Sequence, residues 1–231
     1  MGSDNLFAKR RLERQQRKEA VIKQKSSKWL IISEGVQTEV NYFQEVINDF
    51  NKNIEDKYKL DVKIVGKGMN TVSLVSSVDD LLNKIDEYRN LSTIPYGKIF
   101  VVFDKDSFDK NLFDKAVDMC NKNGYIPLWS NQALEFWFLL HFNYIDSKID
   151  RTLYAEKLEE YFSKCGLKYK YKKNNKTIYS KLKEYGNLEK ARKNAKRIHS
   201  NHRNDLPSDS ESCTTVYKFF EEIDERLKEL E

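Results

Sequence analysis

The stretch Trp29-Leu-Ile-Ile-Ser-Glu34-Gly35-Val-Gln-Thr38-Glu39-Val-Asn-Tyr42-Phe43 constrains the fold more than any other. The apolar run Trp29 to Ile32, bounded by polar residues, predicts a short buried strand. Thr38 is placed as the N-cap of a helix in which Tyr42, Phe43, Val46, Ile47 and Phe50 recur at helical spacing. Gly35, between strand and helix, permits either a positive φ or a close backbone approach. Glu34 then falls at the carboxyl end of a core strand, the edge where open α/β sheets place their ligand crevices.

The same alternation continues. Leu60, Val62 and Ile64 predict a second strand, and Leu74, Val75, Val78, Leu81, Leu82 and Ile85 a helix capped by Thr71. Gly66-Lys-Gly68 lacks a P-loop ending and reads as a turn. A third strand, Lys98 to Phe103, runs into Asp104-Lys105-Asp106. A helix from about Leu112 to Asn123, ended by Gly124, leads to a fourth strand over Tyr125 to Trp129. This β-α-β-α-β-α-β order implies an α/β fold, a four-stranded parallel sheet with right-handed crossovers flanked by helices. Ser130 and Asn131 then read as the cap of a very apolar helix reaching Phe142 and carrying Glu135. Beyond Asn143 the pattern is helical, with a polar linker from Ser200 to Ser212 before the last helix. The expected division is a basic helical extension over 1–27 (helix at about 6–25), an α/β domain over 28–145, and a basic C-terminal helical region over 146–231 that packs on it.

No apolar run is long enough to span a bilayer, so no membrane partner is expected. Cys120, Cys165 and Cys213 match neither a zinc spacing nor a disulfide framework, which makes a reducing cytoplasm the default. His141, His199 and His202 lack a ligand arrangement. Charge is uneven. Residues 164–203 carry fourteen Lys and Arg against two acids, whereas 204–231 carry three against nine. A basic block of that kind repels itself unless an anion neutralises it, and polyphosphate is the usual one. Lys172, Lys173, Lys190, Arg192, Lys193, Lys196 and Arg197 are therefore the candidate nucleic-acid contacts. A solvated helical face is the plainer reading of any charge run.

Two strands that deliver carboxylates at one sheet edge suggest a site for a hard divalent cation, Mg²⁺ or Mn²⁺, which takes oxygen ligands. Glu34, Asp104 and Asp106 are the candidate ligands. Taken singly, each has a plainer role as a loop or cap residue. Glu39 stands near the start of its helix, where the dipole alone favours a carboxylate. Glu135, on its apolar helix, needs a partner, either a second metal or hydrogen-bond donors.

The Glu-Gly at the end of strand one, the Asp-x-Asp at the end of strand three and the parallel βα order resemble a Toprim domain. More specifically, the chain resembles the RloB-like family. The resemblance rests on Ser33-Glu34-Gly35-Val36-Gln37-Thr38-Glu39 with Tyr42-Phe43, on Val101-Val102-Phe103-Asp104-Lys105-Asp106, and on Ser130-Asn131 through Glu135, Trp137 and His141-Phe142. It is strongest over 28–142. Gln132-Ala133, where a Pro-Cys-type pair would be typical, and Glu211-Ser212-Cys213-Thr214, without the family proline, depart from the pattern.

The resemblance implies Mg²⁺-dependent phosphodiester chemistry in bacterial anti-phage defence, beside an ATPase partner. It assigns Glu34 an acid/base and metal-positioning role and makes Asp104 and Asp106 metal ligands. Glu39 and Glu135 would be the further acids of two-metal relatives. Glu34, Asp104 and Asp106 are thus the catalytic candidates, in a nuclease acting on DNA or RNA, with tRNA among the substrates. The competing expectations are a non-catalytic nucleic-acid-binding subunit that keeps the fold, and a regulatory protein that docks an ATPase through its terminal helices. An oligomer is left open.

Overall fold

The computed structural model describes residues 28–87 and 96–229, together with Glu13 and Arg14, which are helical. The remainder of the expected amino-terminal helix, the side chain of Ile85 and Leu230 lie outside the described residues.

The element order is β1 (Lys28–Ser33), α1 (Thr38–Lys52), β2 (Asp61–Gly66), α2 (Thr71–Glu87), β3 (Lys98–Asp104), α3 (Lys110–Lys122), β4 (Ile126–Asn131) and α4 (Glu135–Leu139). It continues with α5 (Tyr154–Lys164), α6 (Ile178–Tyr185), α7 (Leu188–Asn201), β5 (Cys213–Thr214) and α8 (Tyr217–Lys228). The strands form one sheet in the order β2-β1-β3-β4-β5. The first four are parallel and β5 is antiparallel to β4.

The expected four parallel strands are therefore present, with a fifth added at the edge. β5 pairs only Cys213 and Thr214 with β4, too short a run for periodicity to reveal. It is held by side chains as well. The Ser130 and Thr214 hydroxyls lie 2.8 Å apart, and the Thr215 hydroxyl accepts a 2.9 Å bond from the Trp129 amide. Much of the polar stretch before it is buried too, through Ser208, Ser210 and Ser212. The segment expected as a linker is thus part of the fold. Ser208 Oγ donates to Asp114 on α3, and Asn131 Nδ2 donates to the Ser208 carbonyl.

Both sheet faces are covered, which explains why β1 and β3 are apolar runs and not alternating ones. On one face Phe219 of α8 meets Trp29, Phe43 and Phe100, with ring centroids 5.0–6.0 Å apart. On the other, Phe103 packs edge-on against Phe113 of α3. Phe100 and Phe103 stand an odd number of positions apart, so a strand sends them to opposite sides. The C-terminal helices extend the core that begins at β1.

Three local expectations change. Ser130 and Asn131 continue β4 and do not cap a helix, and the apolar helix expected up to Phe142 shrinks to the five residues of α4. Thr38 and Thr71 are first helical residues and not caps. Asn70 instead accepts from the Ser73 amide at 3.1 Å, which leaves the Thr71 hydroxyl available elsewhere.

Candidate functional site

Parallel strands end together. Ser33 pairs with Val102 and Asp104 with Ser130, so Glu34, Asp104 and the loop into α4 meet at one edge of the sheet. Glu34 is fixed there by its amide, which donates to the Val102 carbonyl at 2.9 Å, and by its carbonyl, which accepts from Gly68 at 2.9 Å. Its carboxylate receives the Thr71 hydroxyl at 3.3 Å. That bond accounts for the hydroxyl that capping does not use.

Glu39, in the first turn of α1, folds its carboxylate back over Gly35. A Cβ at Gly35 would overlap that carboxylate, so a larger residue there would push the Glu39 side chain aside. Glu135 opens α4 and accepts from the Tyr171 hydroxyl at 2.9 Å. Glu39 and Glu135 are 8% and 6% exposed, an uncommon degree of burial for carboxylates.

These groups form one electrostatic cluster. The Asp104 carboxyl is pushed well above the usual carboxylate range, first by burial and then by the negative charges of Glu39, Glu135 and Glu34. The Leu134 amide opposes this only partly. Glu39 is raised by burial and by Glu135, against its own amide, the Gly35 amide and the Lys173 ammonium. Glu34 is raised by burial and by Glu39, against the Thr71 hydroxyl. Like charges this close in a low-dielectric site disfavour simultaneous ionisation, and either protons or a cation relieves them.

Asp106 is not brought into this cluster. It sits in an exposed turn at φ 43°, accepts from the Ser107 amide at 2.7 Å and forms an ion pair with Arg151. The chain has turned one residue earlier, at Lys105, whose ammonium folds back onto the Phe108 carbonyl. Asp104 and Asp106 therefore do not share a point of focus.

The donor set fits a hard cation in kind, since all four groups are carboxylates and three are pushed towards protonation by burial and by one another. Among the described residues, no group of three His, Cys, Asp or Glu is already set to hold an ion.

The sequence matches a family model described as RloB-like protein over residues 29–223. The chain belongs to that family. The match runs through β5 and into α8, so the C-terminal helices belong to the family unit along with the sheet. No curated protein and no solved structure matches the chain.

In this RloB-like chain the histidines stand apart from the carboxylates. His141 is buried against Trp137, and loss of solvation pushes it down to about 4. Burial likewise lowers His199, beside the Tyr217 hydroxyl, to about 4. Both are neutral structural groups at neutral pH.

The basic residues divide into two sets. On α7, Lys190 donates to the Phe142 carbonyl, Arg192 pairs with Glu189 and Asp224, and Lys196 pairs with Glu221 at 2.7 Å. Arg197 lies over the Tyr144 ring at 4.6 Å. The excess positive charge of 164–203 is thus met in part by the acidic excess of 204–231, through α8. Lys193 is exposed. The second set is the loop before α6. Lys168, Lys170, Lys172, Lys173 and Lys176 are all exposed, and none forms an ion pair among the described residues. That loop is tied to the acidic edge, because the Lys173 and Asn174 carbonyls accept from Thr38 and Asn41, and Tyr171 donates to Glu135. Sequence points to Lys172 and Lys173 in this loop and takes its other five candidates from α7, because lysine spacing on a helix does not reveal which cations an acidic helix further along the chain will pair.

Proposed function

We propose that this protein is a metal-dependent phosphodiesterase of the Toprim type, cutting DNA or RNA as an effector of bacterial anti-phage defence. The observation that carries the reading is the gathering of Glu34, Glu39 and Glu135 around Asp104 at one sheet edge, where burial and their charges raise its carboxyl. Glu34, Glu39, Asp104 and Glu135 are the residues that would hold Mg²⁺ or Mn²⁺. A hard cation there supplies Lewis-acid stabilisation of the charge that develops in phosphodiester displacement.

The remaining work falls to the chain itself. Thr71 and the paired backbone of Glu34 hold that carboxylate at the strand end, where it would meet the substrate. Glu39 is oriented by the Gly35 amide and its own amide, and Glu135 by Tyr171. Lys173 acts on Glu39 and lines the same cleft as Glu135, and the other exposed lysines of its loop would help draw a polyanionic strand to a site that otherwise repels it. The buried neutral histidines fit a site in which carboxylates handle the protons.

The test is cleavage of DNA and total tRNA by purified protein with and without Mn²⁺. Metal-dependent cutting supports the reading; binding without turnover under every condition favours the non-catalytic subunit. A second test separates the two basic sets. Replacing Lys168, Lys170, Lys172 and Lys176 by Gln should weaken nucleic-acid binding and flatten its salt dependence by about 0.7–0.9 for each phosphate no longer neutralised. The same exchange at Lys190, Arg192, Lys193 and Lys196 should chiefly lower thermal stability, because three of those four residues bridge helices or loops. Equal salt slopes in the wild type and the loop variant would remove the loop from the interface.

A further inference from the structure

A cleft of about 350 Å³ opens directly beside the carboxylates. Glu135 belongs both to its wall and to the acidic cluster. Arg151 and Lys173 bring positive charge to it, and Tyr154 and Tyr171 form its aromatic side. This volume lies in the range of small-molecule sites and is far too small to admit a duplex.

Three features indicate a built site. First, Arg151 is set in place: its amide donates to Gln132 Oε1 at 3.0 Å, and its guanidinium pairs with Asp106. The Gln132 carbonyl in turn accepts from the Asp106 amide at 2.9 Å, so one residue of the β4–α4 loop braces both members of the pair. This gives Asp106 a role outside the carboxylate cluster. Second, Lys173 projects from a loop whose carbonyl at the same residue is bonded to Thr38, which fixes the loop against α1. Third, the Tyr154 hydroxyl is buried without a hydrogen-bond partner among the described residues, in a residue 2% exposed. The Gln132 backbone is near enough to influence it but outside hydrogen-bonding geometry, and the hydroxyl also feels the charges of Asp104 and Glu135. An orphaned buried donor is costly, and Tyr154 lines a cleft between cations and carboxylates, so a ligand oxygen that reaches its hydroxyl would relieve that cost.

We propose that this cleft is a subsite for one unpaired nucleotide of the strand being cut. The phosphate would sit between Arg151 and Lys173, with the Tyr154 hydroxyl as a further donor. The base would lie against the Tyr154 and Tyr171 side of the cleft. The substrate class that follows is single-stranded, or locally unpaired, nucleic acid. Arg151 exchanges Asp106 for the phosphate on binding, so Asp106 is a positioning residue that holds the guanidinium at the rim beforehand. The proposal rests on the phosphodiesterase reading for its substrate, and binding tests it separately from cleavage.

The experiment is fluorescence anisotropy in EDTA, with a labelled single-stranded hexanucleotide and its duplex as probes. The wild type should bind the single strand more tightly. Arg151→Gln and Lys173→Gln should each weaken that binding several-fold and lower the salt slope by about 0.7, the single-strand value for one phosphate contact. Tyr154→Phe should weaken binding without changing the salt slope. It should also leave thermal stability intact, since its hydroxyl has no bond to lose. Duplex bound as tightly as single strand, or all three variants binding like the wild type, overturns the proposal. If those variants also cut at the wild-type rate, the subsite falls and the nuclease reading stands. A protein that never cuts, yet binds single strands through these three residues, keeps the subsite and loses the nuclease.

Discussion

Asp104→Asn and Glu34→Gln are each expected to lower Mn²⁺-dependent cleavage by at least about 10²-fold, the scale on which loss of one charge-stabilising group is felt. Both are near-isosteric, so the fold should survive. For Asp104→Asn the second expected result has the opposite sign to ordinary damage. Its carboxyl is raised well above 3.8 in the folded chain, chiefly by burial, with Glu39, Glu135 and Glu34 adding to it. The folded state therefore holds the Asp104 proton more tightly than the unfolded state does. That contribution is full below the unfolded value and is lost as pH rises through the folded one. Once pH exceeds the folded value, and without metal, the charge is a net cost. Its removal should raise stability at pH above the folded value, because the variant carries no charge to bury. Differential scanning calorimetry in EDTA at pH 5 and pH 8 checks this. The wild type should lose more stability than Asp104→Asn between the two. A variant that melts below the wild type at pH 8 would mean that Asp104 is a structural acceptor.

The largest effect on stability is expected at Trp137. It is fully buried on α4, donates its indole N–H to the Tyr42 hydroxyl at 2.6 Å and stacks on Phe220 at 5.6 Å. One side chain thus ties α4, which carries Glu135, to α1, which carries Glu39, and both to α8. Trp137→Ala should cost about 3–5 kcal/mol, the range for emptying a large aromatic site. Trp137→Phe keeps most of the volume but leaves the Tyr42 hydroxyl without its donor. It should cost less and still reduce cleavage, because the spacing between α1 and α4 loosens. Urea melts of both variants measure this, with cleavage assayed where each remains folded. Full activity in a marginally stable Trp137→Phe would separate the helix contact from the site.

Much of the fold is legible in sequence because its code is local. Trp29 to Ile32 and Ile99 to Phe103 are apolar on both faces, as parallel strands buried between helices must be, and the helical spacings between them fix the crossovers. Glu34 and Asp104 follow from that same code, since parallel strands end at one edge. What escapes is set by distant partners. β5 is two residues long and is specified by the Ser130 and Thr215 hydroxyls. The α7 cations look free in sequence and are paired by Glu221 and Asp224, well further along the chain. Asp-x-Asp spacing does not show that the chain turns at Lys105 and hands Asp106 to Arg151. Tyr171 gives a signal only as one tyrosine among lysines, and its bond to Glu135 depends on how the loop folds back.

If Glu34, Glu39, Asp104 and Glu135 act together, they bind a hard divalent cation, and everything proposed about cleavage depends on that binding. Isothermal titration of metal-free protein with Mn²⁺, in wild type and in Asp104→Asn, measures it without reference to any substrate. Saturable binding is expected for the wild type, with protons released because Glu34, Glu39 and Asp104 are raised in the free protein, and strongly weakened binding for the variant. Equal Mn²⁺ affinity in the two proteins, or no binding by either, would refute the shared cation site.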